Sequence, residues 1–340
     1  MREYVVAVVG IGAVGTEMLR VLRERKFPAR EIRVLARSAR AEEIAGEVYQ
    51  VQPTTAEGFD GVDVAFFAGT EGSKGASQQW GWEAVRRGAV VIDNGDDFRM
   101  DPRVPLVVPE VNAEHLKKAK GFVANPNCST IQMVVALAPL HREATLKRVV
   151  VATYQAVSGT GRSAIAELQK QVEAHVAGQK IEGAVYPHQI AFNVIPQISG
   201  LKEEFPGYYG EEIKMIKEPR KIFDLPDLAV SATCVRVPVF NGHAEAINVQ
   251  FERKLSADEA REILRDAPGI EVVDDPAQGV YPMPLDASGK DPVYVGRIRE
   301  DASAENALDL FVVSDNIRKG AALNAIQNAE KMIEMGLVSG

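Results

Sequence analysis

Six apolar residues lead into three spaced glycines in the sequence Tyr4-Val5-Val6-Ala7-Val8-Val9-Gly10-Ile11-Gly12-Ala13-Val14-Gly15. A short continuous apolar run is typical of a parallel strand that is buried on both faces. A helix-like segment follows at 16–25, so the glycines stand between a strand and a helix. In that position they allow a tight turn, backbone approach to a pyrophosphate and close helix–strand packing. The stretch therefore predicts a dinucleotide site, with a purely structural glycine-rich turn as the alternative. The predicted cofactor contacts are Gly10, Gly12, Ala13, Val14 and Gly15.

Apolar runs continue along the first part of the chain at 32–36, 62–68, 90–93 and 106–108, with helical stretches such as 77–87 between them. This alternation predicts an α/β domain of Rossmann type, with a doubly wound sheet. After Cys128 the strand-like runs alternate in polarity, at 148–157, 228–239, 244–252, 293–299 and 308–314. They predict an α+β domain with a mixed, largely antiparallel sheet that is covered on one face by amphipathic helices at 161–177 and 256–267.

The last helical stretch, 316–335, has an apolar face that we expect to pack back on the first domain. The predicted division is thus 1–127 plus 316–340 for the nucleotide-binding domain and 128–315 for the second domain.

The end of the second strand indicates which dinucleotide binds. An NAD site usually has an acidic residue there for the ribose 2′-hydroxyl group. Here the strand ends in Val34-Leu35-Ala36-Arg37-Ser38-Ala39-Arg40, without an acid. Arg37 and Ser38 suit a 2′-phosphate, so NADP is the predicted cofactor. The alternative is that Arg37 and Arg40 belong to a solvated loop.

Cys128 stands between a strand-like stretch that ends at Ala124 and a helix-like stretch over 129–140. Unpaired N–H groups and the positive end of the helix dipole at such a junction stabilise a thiolate. A buried structural cysteine is the alternative. The polar neighbours Asn127, Ser129 and Thr130 favour a nucleophile.

Composition limits the remaining possibilities. The chain has 340 residues, a net charge of −8 and two cysteines. The acidic balance argues against nucleic acid or an anionic membrane as a partner. Two cysteines exclude a disulfide scaffold and indicate a cytoplasmic setting. The five histidines are scattered, and no metal-ligand cluster is visible. We also expect neither a signal peptide nor a membrane-spanning segment.

A dinucleotide domain followed by a nucleophilic cysteine indicates reductive acyl chemistry. Over nearly its whole length the chain resembles the aspartate-β-semialdehyde dehydrogenase family. The resemblance rests on VVPEVN (107–112), NPNCST (125–130), TYQAVSG (153–159), SATCVRVPV (231–239) and VSDN (313–316). It implies reduction of L-aspartyl 4-phosphate to the semialdehyde with NADPH, release of inorganic phosphate, and a role in lysine, threonine and methionine biosynthesis. It also implies a homodimer, or a dimer of dimers, formed through the second domain.

The resemblance assigns a role to each site residue. Cys128 would form a thioester, His243 would be the acid/base residue, and Gln155 would orient the substrate or the tetrahedral intermediate. Arg236 would bind the substrate α-carboxylate, although an internal salt bridge is the alternative for an arginine among valines. The remaining expected contacts are Glu211 for the amino group, Lys214, Arg99 and Asn127 for phosphate, and Ser158, Gly159 and Asn316 for the cofactor.

From the residues alone, Glu211 and Lys214 would be a surface ion pair and Arg99 a solvated loop charge. The first glycine loop is shorter by one residue than is usual in the family, and residues 69–74 lack the family's serine-rich run. N-acetylglutamyl-phosphate reductase and glyceraldehyde-phosphate dehydrogenase share the architecture, but the neighbourhood of Cys128 matches neither. A non-catalytic NADP-binding sensor would not need Cys128, His243 and Arg236 together.

Overall fold

The computed structural model describes residues 2–69 and 75–338. The loop that lacks the serine-rich run, apart from Gly69, lies outside these residues at 70–74. The chain forms two compact units, Met1–Asn127 with Ala321–Gly340, and Cys128–Gly320. Residues 316–320, which the sequence-based division placed with the first unit, belong to the second.

The strands of the first unit are β1 (Tyr4–Val9), β2 (Ala29–Ala36), β3 (Arg40–Ile44), β4 (Glu47–Pro53), β5 (Val64–Phe67), β6 (Val90–Asp93) and β7 (Phe122–Ala124). Those of the second are β8 (Leu146–Gln155), β9 (Ala229–Arg236), β10 (His243–Phe251), β11 (Ile270–Val272), β12 (Val293–Glu300) and β13 (Ala307–Ser314). The helices of the described residues, in chain order, are α1 (Ala13–Glu24), α2 (Ala76–Arg86), α3 (Pro109–Asn112), α4 (Cys128–Ala144), α5 (Arg162–Val176), α6 (Gly210–Ile222), α7 (Ala257–Arg265), α8 (Pro284–Ala287) and α9 (Leu323–Glu334).

The first unit contains a sheet of order β3-β4-β2-β1-β5-β6-β7. Every neighbouring pair is parallel except β3 with β4. All six residues of β1 are buried, as expected for a central strand with helices on both faces. The apolar side of α9, including Ile326 and Ala329, joins the hydrophobic core of this unit.

In the first unit one predicted strand is absent as a strand, and one pair of strands was not predicted. Residues 106–108 form only an isolated bridge from Leu106 to Ala124, because the chain there soon enters α3. The hairpin of β3 and β4 was not predicted. Its sequence is rich in charged and polar residues since it lies at the sheet edge with most side chains exposed.

The second unit contains a sheet of order β11-β12-β13-β10-β8-β9. The outer pairs β11–β12 and β8–β9 are parallel, and the inner pairs are antiparallel. Side chains on β8 alternate, with Val149, Val151, Thr153 and Gln155 buried and Tyr154 exposed. Helices α4 and α6 contact strands of this sheet. The prediction of an α/β protein with a Rossmann-type domain and an α+β domain around a mixed, largely antiparallel sheet is confirmed.

The C-terminal helix begins later than its sequence pattern predicts. Residues Arg318–Ala322 form a π-helical turn, and α9 starts at Leu323 instead of 316. In this wider turn the Gly320 N–H group donates to the Asp315 carbonyl oxygen, five residues back, at 3.1 Å. Asp315 Oδ1 caps the turn by accepting hydrogen bonds from the N–H groups of Ile317 and Arg318 at 2.9 and 3.0 Å. None of the helices in the described part of the chain is long and apolar enough to cross a membrane.

Candidate active site

The three glycines between β1 and α1 have different roles. Gly10 has a φ of +94°, a conformation that favours glycine. A Cβ on Gly15 would lie 1.9 Å from the Gly10 carbonyl oxygen, so this position has no room for a side chain. A Cβ on Gly12 would meet nothing within 4 Å. The space at Gly12 is thus open to a ligand, as the second glycine of a dinucleotide loop requires.

A cavity of about 950 Å³ opens beside this loop. Its size suits a nucleotide, and its lining includes Gly10, Gly12, Arg37 and Ser38, as predicted. Ala13, Val14 and Gly15 form the first turn of α1, where N–H groups lack partners within the helix. Their contacts with a cofactor stay a prediction.

The two arginines at the end of β2 differ in their surroundings. Arg40 Nε donates to Glu42 at 2.9 Å, and another of its nitrogens lies 3.3 Å from the Ser38 carbonyl oxygen. Arg37 makes no hydrogen bond or ion pair with any other residue that the structure describes, and its side chain is exposed in the cavity lining. Arg37 is therefore the cation that remains available for a phosphate group.

We expect Arg37→Ala to weaken NADPH binding ten- to a hundredfold relative to NADH binding, since a hydrogen bond to a charged group contributes about 1.5–3 kcal/mol. Titration of the protein with each cofactor, followed by fluorescence, measures the two dissociation constants. Arg40→Ala is the matched control and should change the ratio less than threefold. Equal weakening of both cofactors in Arg37→Ala would show that Arg37 does not contact the 2′-phosphate.

The first unit also holds two of the residues expected to bind phosphate. Arg99 is 7% exposed, so it is not a solvated loop charge. One of its terminal nitrogens donates to the Asn94 carbonyl oxygen at 2.7 Å. Asn127 is buried and immediately precedes Cys128. That Arg99, Asn127 and Lys214 form one phosphate pocket stays a prediction.

Three predicted site residues meet at one end of the sheet in the second unit. Gln155 and Arg236 end the parallel strands β8 and β9 and are register partners. His243 begins β10, which runs antiparallel to β8, so its position is at the same end. Partners in neighbouring strands point to the same face, and all three side chains are buried. Strand β10 therefore begins one residue earlier than the predicted strand at 244–252.

His243 is held by the main chain. Its Nδ1 accepts a hydrogen bond from the Ala156 N–H group at 3.0 Å, while Nε2 has no partner among the described residues. In the neutral ring the proton consequently resides on Nε2. Burial, and then the charge of Arg236, lower the pKa of His243 well below its ordinary value of 6.5. The ring is therefore neutral at pH 7.

Arg236 and His243 both face Gly159. A Cβ on Gly159 would lie 3.0 Å from a terminal nitrogen of Arg236 and 3.0 Å from His243 Nε2. That same Arg236 nitrogen donates to the Ala156 carbonyl oxygen at 2.6 Å. No salt bridge of Arg236 with a described acid is present, which removes the alternative of an internal ion pair. Gly159 thus keeps open a small space in which a cation and a hydrogen-bond donor converge.

Gln155 connects this end of the sheet to α6. Its Nε2 donates to Thr153 Oγ1 at 3.3 Å and to Glu211 Oε1 at 3.2 Å. Lys214 Nζ lies 3.6 Å from Glu211 Oε2. Because Glu211 is only 5% exposed, the pair is not the surface ion pair that its spacing alone had suggested. The structure therefore places Glu211 beside Gln155 and Lys214 beside Glu211.

Cys128 is the first residue of α4 and is partly exposed, as a nucleophile at a helix N-terminus must be. A Cβ on Gly320 would lie 2.8 Å from the Cβ of Cys128, so the turn before α9 packs closely on the cysteine. Cys234 differs, because it is 1% exposed in β9. Burial raises the pKa of the Cys234 thiol, and nearby Glu211 raises it further.

Ser158 and Asn316, both expected at the cofactor, contact each other in the second unit. Asn316 Nδ2 donates to Ser158 Oγ at 2.9 Å, and Asn316 Oδ1 accepts from the Gly242 N–H group at 3.0 Å. The pair of Ser158 and Asn316 therefore fixes the position of Gly242, the residue before His243. Cofactor contacts of Ser158, Gly159 and Asn316 stay predictions.

Sequence reasoning missed several residues at these sites. Thr54, Gln79 and Trp80 line the nucleotide cavity but belong to no recognisable motif. In the second unit, Asn241 Nδ2 donates to Asp315 Oδ2 at 2.7 Å and so fixes the turn before His243. The signal that was available for Asn241 was its position in an Asn-Gly pair, which is typical of a turn.

Comparisons with known proteins cover both units. A family profile described as "Semialdehyde dehydrogenase, NAD binding domain" matches residues 5–119, and one described as "Semialdehyde dehydrogenase, dimerisation domain" matches 137–319. The aspartate-semialdehyde dehydrogenase of Aquifex aeolicus is 51% identical over 98% of this chain and 99% of its own.

Solved structures are similar as well. Aspartate semialdehyde dehydrogenase II of Vibrio cholerae, complexed with ASA, has a TM-score of 0.93 and 42% identity, covering 98% of this chain and 99% of its own. The aspartate semialdehyde dehydrogenase of Candida albicans with NADP has a TM-score of 0.71 and 25% identity, with coverage of 98% and 99%.

Proposed function

Because this chain belongs to the aspartate-semialdehyde dehydrogenase family, we propose that it reduces L-aspartyl 4-phosphate to L-aspartate 4-semialdehyde with NADPH and releases inorganic phosphate. The chain is an oxidoreductase with a domain for a nicotinamide dinucleotide. The finer choice of NADP is supported by Arg37 in the cavity and by the absence of an acid at the end of β2. The product would serve lysine, threonine and methionine biosynthesis in the cytoplasm.

One observation carries this proposal: Gln155, Arg236 and His243 end or begin three adjacent strands on one buried face of the sheet. The same unit begins with Cys128 at the N-terminus of α4. A nucleophile, a carboxylate-binding cation and a neutral imidazole with a free Nε2 are the groups that acyl transfer through a cysteine requires. A simple dehydrogenase without a covalent step would need no such cysteine.

The proposed reaction has two chemical steps. The Cys128 thiolate attacks the acyl carbon, and the bond to phosphate breaks, so that a thioester forms and inorganic phosphate leaves. When bound, NADPH would supply the hydride that reduces the thioester carbon. The resulting hemithioacetal then releases the Cys128 thiolate and the aldehyde. Read in reverse, oxidation of the semialdehyde consumes phosphate.

His243 would contact the reacting groups through Nε2, because Nδ1 is bound to the main chain. With the Ala156 N–H group on Nδ1, the neutral ring is a hydrogen-bond donor, which suits the oxyanion of the tetrahedral intermediates. A doubly protonated ring cannot accept the Ala156 hydrogen bond. To act as the acid/base residue that the family resemblance implies, His243 must therefore break that contact during the cycle.

The substrate would be held through its α-carboxylate, its amino group and its phosphate group. The Arg236 guanidinium group would bind the α-carboxylate, because its planar fork matches a carboxylate. Glu211 would bind the amino group. Both hydrogens of Gln155 Nε2 are already donated to Thr153 and Glu211. Its amide oxygen is what remains for the substrate, so Gln155 would orient the substrate's donor groups and not the oxyanion. Arg99, Asn127 and Lys214 would bind phosphate.

A homodimer is the proposed assembly. The matched profile is that of a dimerisation domain, and the second sheet has one face with exposed side chains, among them Tyr154 at 40%. Sedimentation analysis would distinguish a dimer from a dimer of dimers.

The proposed function is tested by NADPH formation from aspartate semialdehyde, with and without inorganic phosphate. We expect turnover only when phosphate, or arsenate in its place, is present. Oxidation of the semialdehyde with no need for either would contradict the acyl-phosphate reaction.

Arg99→Ala should raise the apparent KM for phosphate in this assay about tenfold or more, because a charge-assisted hydrogen bond is lost. The KM for semialdehyde should change less. Arg103→Ala is a suitable control, since Arg103 is an exposed cation on the same segment that pairs with Asp101. A KM for phosphate unchanged in Arg99→Ala would remove Arg99 from the phosphate pocket.

A further inference from the structure

One fully buried acid in the second unit has no part in the proposed reaction. Glu245 on β10 is 0% exposed, and neither of its carboxyl oxygens makes a hydrogen bond with any described residue. An ionised carboxylate without partners is very costly to bury. A buried acid without hydrogen-bond partners is therefore expected at a position where function requires it.

The sheet register places Glu245 beside the site. Glu245 is the partner of Thr153 in the antiparallel pair of β10 and β8, so their side chains share one face. His243 and Gln155 lie two residues further along the same two strands and therefore on that face too. Thr153 Oγ1 already accepts a hydrogen bond from Gln155 Nε2 at 3.3 Å. The register therefore makes that hydroxyl group the polar neighbour of Glu245 on β8.

Helix α4 presents a complementary group. Gln132 is fully buried and follows Cys128 by four residues, which puts both on one side of the helix. Its Oε1 accepts from Ser314 Oγ at 2.7 Å, whereas its Nε2 has no partner among the described residues. The amide is near enough to Glu245 to lower the pKa of that carboxyl group, against the larger opposing effect of burial. An unpaired donor thus lies next to an unpaired acceptor.

The surrounding charges favour the neutral acid. Burial, and in addition the negative charge of Glu211, raise the pKa of Glu245 well above its ordinary value of 4.5. The titratable groups that face it are Glu211 on α6, the thiol of Cys234 on β9, and His243 on its own strand. Helix α4 contributes the neutral Gln132, and β13 contributes the apolar partner Val312. A cation on this face, Arg236, lies two residues beyond Cys234 on β9 and lowers the pKa of His243, but it is not among the groups that shift the pKa of Glu245.

We propose that Glu245 is a positioning residue, whose protonated carboxyl group accepts from Gln132 Nε2 and donates to Thr153 Oγ1. These two bonds link the helix that carries Cys128 to the strand that carries Gln155. An ionised carboxylate would lack the donor and would repel Glu211. The inference rests on the proposed function only in that Cys128 and Gln155 take part in the reaction.

Steady-state kinetics of full-length Glu245→Leu and Glu245→Gln test the link. We expect Leu, which has a similar volume and no hydrogen bonds, to lower kcat tenfold or more while the KM values for semialdehyde and phosphate change less than twofold. Gln both donates and accepts, so it should retain at least a third of kcat. Ile247→Ala is the control for a weakened strand, because Ile247 is buried two residues along β10. It should lower the thermal midpoint but not kcat.

Thermal unfolding at different pH values tests the protonation state. The folded protein keeps a proton on Glu245 that the unfolded chain releases above about pH 4.5, so wild-type stability falls as pH rises from there towards the folded pKa. Glu245→Gln has no such proton. Its folding equilibrium constant relative to wild type should rise up to tenfold per pH unit over that range, seen as a growing difference in Tm between pH 5 and pH 8.

Three results would overturn the inference: full kcat in Glu245→Leu, an equal loss in Glu245→Gln, or a Tm difference that does not depend on pH. Should Glu245→Leu fail to fold, Gln132→Leu removes the same link from the helix side and should lower kcat equally. If the wild type does not oxidise aspartate semialdehyde at all, the proposed function fails separately. The Tm difference and the alkylation rate of Cys128 in each variant then still decide the role of Glu245.

Discussion

Cys128→Ser is expected to abolish turnover, with kcat at least about 10³-fold lower, while NADP binding is retained. A serine hydroxyl group is far less ionised than a thiol at neutral pH, so it does not supply the nucleophile even though its shape is similar. The cavity that contains Arg37 lies in the first unit and includes no part of Cys128. Kinetics in both directions, together with a cofactor titration by fluorescence, provide the measurement.

Cys234→Ser is the matched control and should keep most of the activity. Cys234 is buried in β9, and its raised pKa keeps the thiol protonated. Alkylating reagents should accordingly label Cys128 first, which peptide mapping would show. Earlier labelling of Cys234, or turnover that survives Cys128→Ser, would contradict the assignment of the nucleophile.

The parts of the fold that depend on local sequence could be predicted closely. Strand β1 has the predicted bounds because its apolar run is flanked by a charged residue and a glycine. The hairpin of β3 and β4 could not be predicted, since exposed edge strands carry little apolar pattern. The delayed start of α9 depends on the π-helical turn at Arg318–Ala322, which spacing alone does not reveal.

The candidate site also combines features that local sequence reveals with features that depend on the folded structure. Motifs identified Cys128, Gln155, Arg236 and His243 individually. The convergence of the last three depends on the strand register that pairs Gln155 with both Arg236 and His243's strand, which is a property of the folded sheet. Glu245 was missed because a glutamate between two alanines on an alternating strand suggests a solvent-facing position, and only the structure shows it to be buried.

Arg236→Lys should lower kcat/KM for aspartate semialdehyde about ten- to a hundredfold, whatever the phosphate concentration. Lysine keeps the charge but loses the planar fork that binds a carboxylate through two bonds, and each such bond contributes about 1.5–3 kcal/mol. The substitution also removes the donor to the Ala156 carbonyl oxygen, next to the N–H group that holds His243. Both substrate binding and the orientation of the imidazole should therefore be affected, so that kcat falls as well.

The two anion-binding arginines should differ in these experiments, and that difference distinguishes the two ends of the substrate. Arg99→Ala should act on the KM for phosphate, and Arg236→Lys on the semialdehyde, when the concentrations of both substrates are varied. Arg299→Lys controls for the loss of a guanidinium group, since Arg299 on β12 is exposed and pairs with Asp309. It should change kcat/KM less than twofold. A change confined to phosphate dependence in Arg236→Lys would mean that Arg236 does not bind the carboxylate, and the orientation proposed for the substrate would be wrong.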